Sequence, residues 1–344
     1  MDLLGPEHGA WFAWRTGMES DGNVRNDPHQ EFTGRNILFE AHTLAETAEQ
    51  FSRPVEEVAR ALAAAETTLF AARTKRIRPH LDDKILTAWN GLMISAFAKA
   101  GRILDSPAYL DAAIRAADFI LAGMVRPDGA LLRRYRAGDA AIDGMLDDYT
   151  FFVQALLDLF EATFSPHWLE HAIRLTEKQR ALFEDTTDGA FFASAQQDAA
   201  KLMRLKDDYD GAEPSGNSAA LMNLLRLHHI TGRADYEAIA RRMIALFSER
   251  LAQTPWAMPQ MLAACEFQFA PHREIVLAGD VGSEIIQLLW QDFDPNRTLL
   301  AAGPALAAFR PETAQMTGPA VYVCENFTCQ APVKTVEDLA KLLK

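Results

Sequence analysis

Three segments of the sequence place paired carboxylates directly ahead of an apolar helical run. They read "HLDDKILTAWNG", "MLDDYTFFVQ" and "KDDYDGAEPSGNSAA". Hydrolysis of a glycosidic bond requires one protonated and one ionised carboxyl group that face the same bond. If the three segments converge in space, they supply such a pair. The candidate acid and base groups are Asp83, Asp148, Asp208 and Glu213.

The neighbours of these acids are of types that hydrogen-bond or stack on sugars. The candidate ligand-binding residues are His80, Asp82, Trp89, Asn90, Asp147, Tyr149, Tyr209, Ser215 and Asn217. His80 is a candidate base because imidazole titrates near neutral pH. Trp89 can stack on a sugar ring, although core packing is the more common use of a tryptophan in the first turn of a helix.

A structural interpretation competes with this chemistry. Carboxylates and hydroxyls at a helix N-terminus are stabilised by free backbone N–H groups and by the helix dipole. Asp83, Asp148 and Ser215 are therefore each expected to cap a helix, and for a single acid capping is the stronger interpretation. The recurrence of acid pairs in three loops favours a shared site, because a cap needs only one acid.

The acid-bearing segments recur at a regular interval. Asp83 to Asp148 and Asp148 to Glu213 each span 65 residues. Each interval contains two amphipathic runs of helix length, which is typical of helical hairpins joined by long return loops. The predicted helices cover residues 54–76, 83–99, the run that opens at 106, 148–163, 166–183, 215–231, 234–251 and 256–269.

Stacked hairpins form an open solenoid or a closed toroid. We favour the toroid, with the alanine-rich first helix of each hairpin in the inner ring and the long loops at one mouth. The predicted fold is mainly α, an incomplete (α/α)6 toroid over residues 1–270. After it, the short apolar runs "REIVLAG", "RTLLAAG" and "AVYVCEN" predict a small α/β element with a parallel sheet over residues 271–344.

Composition narrows the classes of ligand. The 344 residues include 49% hydrophobic side chains and carry a formal charge of -13, and no run is rich in lysine or arginine. This charge disfavours nucleic acid and anionic membranes as partners. The beginning of the chain lacks signal-peptide features, so a cytoplasmic location is expected. Cys324 and Cys329 form a lone C-x4-C pair without further metal ligands nearby, and we expect neither a metal nor a cofactor.

Four motifs together resemble the YyaL-like proteins related to spermatogenesis-associated protein 20. They are "RPHLDDKILTAWNGLMISAFAKAGRIL", "LDDYTFFVQALLDLFEAT", "DGAEPSGNSAALMNLLRL" and "VYVCENFTCQAPV", and the resemblance runs from about residue 9 to the C-terminus. It implies a helical toroid similar to those of six-hairpin glycosidases and of the N-acylglucosamine 2-epimerase group. Members of this family also carry a thioredoxin-like domain, which we do not recognise in this sequence.

The resemblance implies a fold more directly than a reaction. A six-hairpin toroid has twelve helices, whereas eight are predicted here besides a short one at 42–51. We therefore expect an open seam through which the chain can associate with a partner. Two functions follow: a glycosidase-like or sugar-epimerase-like enzyme with an acidic central cavity, or a non-catalytic helical scaffold that binds a partner. A carbohydrate or another small molecule is the expected ligand of the first.

Overall fold

The computed structural model describes residues 2–195, 203–325 and 328–343. The chain forms two compact units, Met1–Asp82 and Asp83–Lys344. The described helices of the first unit are α1 (Gly5–Arg15), α2 (Leu44–Phe51) and α3 (Val55–Thr74). Trp11, Ala48, Val58 and Leu62 form the hydrophobic cluster that holds them together. The sequence predicted α2 and α3 but not α1.

Helical hairpins make up most of the second unit. Their helices are α4 (Thr87–Ile103), α5 (Pro107–Gly123), α6 (Leu146–Thr163), α7 (Pro166–Phe183), α8 (Gly216–Thr231), α9 (Ala234–Gln253) and α10 (Pro259–Phe269). Three of them begin with proline, which suits the first helical turn because the N–H that it lacks has no partner there. The predicted helices of this region are confirmed, with most ends within a few residues of the prediction.

The hairpins stack into a two-layer arc. In the inner layer α4 packs on α6, α6 on α8 and α8 on α10, while α5, α7 and α9 each pack behind the helix that precedes them. This is the arrangement of a partial (α/α)6 toroid. The α4–α6 contact is very close, because a Cβ atom added at Gly91 would lie 2.6 Å from the backbone carbonyl carbon of Phe151. A glycine is therefore required in α4 where it crosses α6.

A small sheet joins the segment before α4 to the return loop between α5 and α6. It contains β1 (Ile85–Leu86), β2 (Leu132–Arg136) and β3 (Asp139–Asp143), paired antiparallel in that order. The turn of the β2–β3 hairpin places Ala137 and Gly138 at positive φ. In the loop after α7 the described pairing is a single bridge between Glu184 and Phe191.

The C-terminal part of the second unit is an α/β element. Its sheet has the order β5-β4-β6-β7, with β4 (Arg273–Ala278), β5 (Arg297–Ala301), β6 (Ala320–Glu325) and β7 (Thr328–Cys329). β4 and β5 are parallel, but β6 runs antiparallel to β4, so the prediction of a parallel sheet was wrong for β6. An apolar run of strand length carries no signal for strand direction, which the connection through α12 (Pro304–Phe309) sets here.

Both faces of this sheet are covered. Val276 and Leu300 belong to the core of the hairpins. On the other face Ile275, Leu277 and Leu299 form a separate cluster with α11 (Ser283–Gln291) and α13 (Val336–Leu342). This second cluster supports our proposal that residues 271–344 are an element of their own beside residues 1–270.

The two cysteines of the C-x4-C pair lie on adjacent strands. Cys324 of β6 is opposite Cys329 of β7, and their sulfur atoms form a disulfide. In the part of the chain that the structure describes, no helix combines the length and the apolar content needed to cross a membrane.

Candidate active site

The N-terminal ends of the inner helices α4 and α6 and the loop before α8 border an open depression, which we call the mouth. Its volume is about 600 Å³. The residues that line it are Trp89, Leu92, Asp147, Asp207, Tyr209, Gly211, Ala212, Glu213 and Pro214. Three of these side chains are carboxylates and none is basic, so the mouth favours neutral or cationic ligands over anionic ones.

Asp147 lies half-buried in the first turn of α6. Its carboxylate touches the start of α8, because a Cβ atom added at Gly216 would lie 2.6 Å from Asp147 Oδ1. Burial first, and then the neighbouring charges of Asp148 and Glu213, raise the pKa of Asp147 to about 6. Asp147 therefore exchanges its proton close to neutral pH.

Glu213 belongs to the loop before α8 and is exposed. Its Oε2 accepts a hydrogen bond of 2.9 Å from the indole Nε1–H of Trp89, at the start of α4. Trp89 is 62% exposed, so the expectation that it packs in the core was wrong. Its charged partner explains the exposure, because a buried indole would take the Glu213 carboxylate out of water.

Asp148 has no exposed surface. Its Oδ1 accepts a hydrogen bond of 3.1 Å from Ala88 N, and its Oδ2 accepts bonds of 2.9 Å from Met145 N and 3.0 Å from Arg133 Nη1. Burial raises the pKa of Asp148 and outweighs these donors. Asp148 thus joins α4, α6 and β2, and it fixes the turn of helix that carries Asp147. The N-cap residue of α6 is Met145, so Asp148 stabilises the helix start from the third helical position and not as the N-cap itself.

The third acid-bearing loop spreads its carboxylates over different partners. Asp208 is buried and its Oδ1 lies 3.1 Å from Arg250 Nη2 of α9. Burial raises the pKa of Asp208, although the charge of Arg250 opposes the shift. Asp210 accepts hydrogen bonds of 2.8 Å from both Ser215 N and Gln260 N, and so connects the starts of α8 and α10.

Asp83 lies outside the helix that it was expected to cap. α4 begins at Thr87, after the short strand β1, and its N-cap residue is Leu86. The capping prediction was therefore wrong for Asp83, whose exposed carboxylate lies 2.5 Å from Arg136 Nε of β2. His80 and Asp82 are exposed residues at the end of the first unit.

Several candidate ligand-binding residues hold the backbone of the loops. Ser215 is the N-cap of α8, as predicted, and its Oγ accepts a hydrogen bond of 3.1 Å from Ser218 N. The buried Asn217 amide donates to the carbonyl oxygens of Phe191 and Asp207 and accepts from Phe191 N.

Two more candidates also donate to or accept from the backbone. Asn90 Nδ2 donates to Leu86 O at 2.9 Å, one turn earlier in the chain. Tyr149 is buried, and its hydroxyl accepts a hydrogen bond of 2.8 Å from Leu131 N. By contrast, Tyr209 is 59% exposed and lines the mouth.

Sequence reasoning missed three residues that shape the mouth: Asp207, Asp210 and Arg133. The first two stand in "KDDYDG", where a third acid in one loop indicates that at least one carboxylate has a structural task. Arg133 reaches Asp148 from β2, and its position in a hairpin carried no such signal. Within the described ranges, no group of three or more histidines, cysteines and acids could hold a metal ion.

Comparison with known proteins identifies close sequence relatives. No family model matches the chain. It is 37% identical to human spermatogenesis-associated protein 20 over 354 aligned positions, which cover 95% of this chain and 45% of the human protein. The chain belongs to the spermatogenesis-associated protein 20 family. An uncharacterized protein of Caenorhabditis elegans is 34% identical over 94% of this chain and 47% of its own length. The chain thus spans about half the length of the curated members of the family that it matches.

Solved structures with a similar arrangement of helices are distant in sequence. Cellobiose 2-epimerase from Bacillus thermoamylovorans is 17% identical with a TM-score of 0.43, over 51% of this chain and 47% of the epimerase. An α-1,6-mannanase of Salegentibacter sp., an inactive variant in complex with α-1,6-mannotetrose, is 12% identical with a TM-score of 0.41, over 72% and 69% of the two chains.

Proposed function

We propose that the mouth is a carbohydrate-active site that works by general acid and base catalysis. The observation that carries the proposal is the pKa of Asp147, raised to about 6 beside the carboxylate of Glu213. Two carboxyl groups that differ in protonation at one pH are what glycoside hydrolysis requires. A raised pKa would not help a carboxylate whose only task was to cap α6, because it is the negative charge of the carboxylate that stabilises the helix start.

The environments of the two groups suggest their roles. Asp147, protonated below about pH 6, donates its proton to the leaving oxygen of the glycosidic bond. Glu213, oriented by the Trp89 indole, is the second carboxylate of the pair and acts as base or nucleophile. Trp89 and Tyr209 offer exposed aromatic faces at the same cavity, on which a sugar ring can stack.

The other acids contribute to this site indirectly. Asp148 is the positioning residue, because its hydrogen bonds fix the first turn of α6. Asp83 and Asp208, which the sequence offered as further acid or base groups, are each paired with an arginine and are absent from the described lining of the mouth. We therefore assign the reacting pair to Asp147 and Glu213.

The lining of the mouth favours hydrolysis over epimerisation. Epimerases of the group that the sequence resembles use histidines, whereas the described lining supplies three carboxylates and no histidine. A scaffold function remains the alternative. A scaffold function would not require the raised pKa of Asp147.

The test is a hydrolysis and binding screen with neutral oligosaccharides, including cellobiose and α-1,6-mannotetrose. We expect turnover by the unmodified chain to fall as pH rises through about 6, because Asp147 must be protonated to act as an acid. Asp147→Asn and Glu213→Gln should each lower the rate by about 10² to 10⁴.

Asp188→Asn serves as the matched control, since Asp188 is an exposed acid outside the mouth. It should keep the rate and the pH profile of the unmodified chain. Equal behaviour of all four proteins toward every oligosaccharide would contradict the proposal and favour the scaffold.

A further inference from the structure

A second cavity lies against the inner helices and adjoins the mouth at Pro214, which lines both. Its volume is about 540 Å³, within the range of about 300–1,000 Å³ common for small-molecule sites. One wall consists of side chains from the four inner helices, and the other is the segment from the end of α11 to β5. Asp158 on this wall lies 11 residues beyond Asp147 along α6, a distance of about 16 Å.

The charges on the helical wall balance one another. Arg226 Nη2 of α8 lies 2.8 Å from Asp158 Oδ1 and 3.1 Å from Glu161 Oε1, and Lys99 Nζ of α4 lies 3.3 Å from Asp158 Oδ2. Asp158 also accepts a hydrogen bond from the hydroxyl of Ser95. Two cations thus neutralise two carboxylates, so this wall presents no net charge to a ligand.

The carboxylates of the opposite wall also have arginine partners. Asp292 Oδ2 lies 3.5 Å from Arg297 Nη1, and Asp294 Oδ2 lies 3.8 Å from Nη1 of Arg273. Arg273 is outside the described lining, and its Nε also lies 3.4 Å from Glu325 Oε1. A cavity whose charges are paired within the protein favours an uncharged ligand, because a charged one would lose its hydration without gaining a free counter-ion.

Among the described lining residues, the buried Trp290 Nε1–H is a donor without an acceptor. Asp158 Oδ1, by contrast, has the charged Arg226 Nη2 at 2.8 Å. An unpartnered buried group is costly, and a ligand that supplies the missing partner recovers that cost.

We propose that this cavity is a second binding site, specific for a neutral polyhydroxylated molecule of monosaccharide to disaccharide size. A hydroxyl group is both donor and acceptor, so a hydroxyl of the ligand can accept the hydrogen bond that Trp290 Nε1–H lacks. The rings of Phe267 and Trp290 line the same cavity and provide apolar faces for a sugar ring. This site does not depend on the function proposed for the mouth.

The test measures binding of glucose and cellobiose by calorimetry, beside their charged counterparts glucose 6-phosphate and glucosamine. We expect one of the neutral sugars to bind, and both charged compounds to bind at least about tenfold more weakly. Trp290→Phe removes the N–H donor and keeps an aromatic ring, and it should weaken binding about tenfold, the effect of one buried hydrogen bond. Because Trp290 packs against both hydrophobic clusters, binding is compared at a temperature at which the variant is folded.

Trp256→Phe is the matched control, because Trp256 is 76% exposed and is not part of the described lining. It should bind as the unmodified chain does. Ala263→Leu, which fills part of the cavity, should also weaken binding. The inference is overturned if no neutral sugar binds, if Trp290→Phe binds as tightly as Trp256→Phe, or if Asp147→Asn abolishes binding while Trp290→Phe does not.

Discussion

Asp147→Asn is expected to stabilise the folded protein at pH 8 while it removes the catalytic proton. In the folded chain the pKa of Asp147 is about 6, against an ordinary value of 3.8. The folded state therefore resists ionisation of this group, and its ionisation above pH 6 destabilises the fold by on the order of 2 kcal/mol. Asparagine carries no charge and avoids this cost.

The pH dependence of this effect has a definite sign. A raised folded pKa contributes stability that is complete below about pH 4 and is lost as pH rises through about 6. The difference in unfolding free energy between Asp147→Asn and the unmodified chain should thus be near zero at pH 4 and reach its maximum above pH 6. Urea denaturation at pH 4, 6 and 8 measures it.

Asp148→Asn, one residue along, should have the opposite effect. Asp148 accepts three hydrogen bonds, one of them from the charged Arg133, and has no exposed surface. Burial raises the pKa of Asp148 too, but an asparagine would set N–H groups against some of these donors, and this mismatch outweighs the relief of charge burial. We expect a loss of about 3 kcal/mol at pH 8. If both variants lost stability alike, Asp147 would have a structural task and our assignment of its role would be wrong.

The largest loss of stability is expected from Arg226→Met. Arg226 is nearly buried between Asp158 and Glu161. Burial raises the pKa of Asp158, but the charges of Lys99 and Arg226 outweigh it and hold that pKa below its ordinary value. Removal of Arg226 leaves the buried Asp158 and the half-buried Glu161 with only Lys99, and breaking a buried pair in this way costs about 3–5 kcal/mol.

Urea denaturation with a matched surface variant checks this prediction. Arg242 Nη2 lies 3.0 Å from Glu184 Oε1, but the Arg242 side chain is 47% exposed, so Arg242→Met should cost about 1 kcal/mol or less. The Arg226→Met variant should regain part of its stability as pH falls, because its carboxylates then bind protons. Similar midpoints for the two variants at pH 7 would show that the buried cluster is not held by its charges.

The helices of the arc were predictable because each obeys local rules. Apolar residues recur with helical period in α6 and α8, and proline or serine marks several helix starts. The strand direction of β6 was not predictable, since only the path of the connecting chain determines it. The sequence also did not show that Asp83 stands outside α4, because the short strand β1 lies between them.

The candidate site was only partly predictable from the sequence. The sequence located the three acid-bearing loops, but the assignment of Asp147 and Asp148 depends on which carboxylate faces Arg133 and which faces Gly216. Adjacent residues on a helix point about 100° apart, so their roles depend on helix rotation. Equal spacing of Asp83, Asp148 and Glu213 was also misleading, because these acids lie before α4, inside α6 and before α8 respectively.

The most direct test of the account is a titration of the Asp147 side-chain carboxyl by ¹³C NMR, assigned with Asp147→Asn. We predict an apparent pKa near 6 in the unmodified chain, and a lower value in Glu213→Gln, where one neighbouring negative charge is gone. A pKa near 4 in both proteins would contradict the claim that the loops before the inner helices bring their carboxylates together at one mouth.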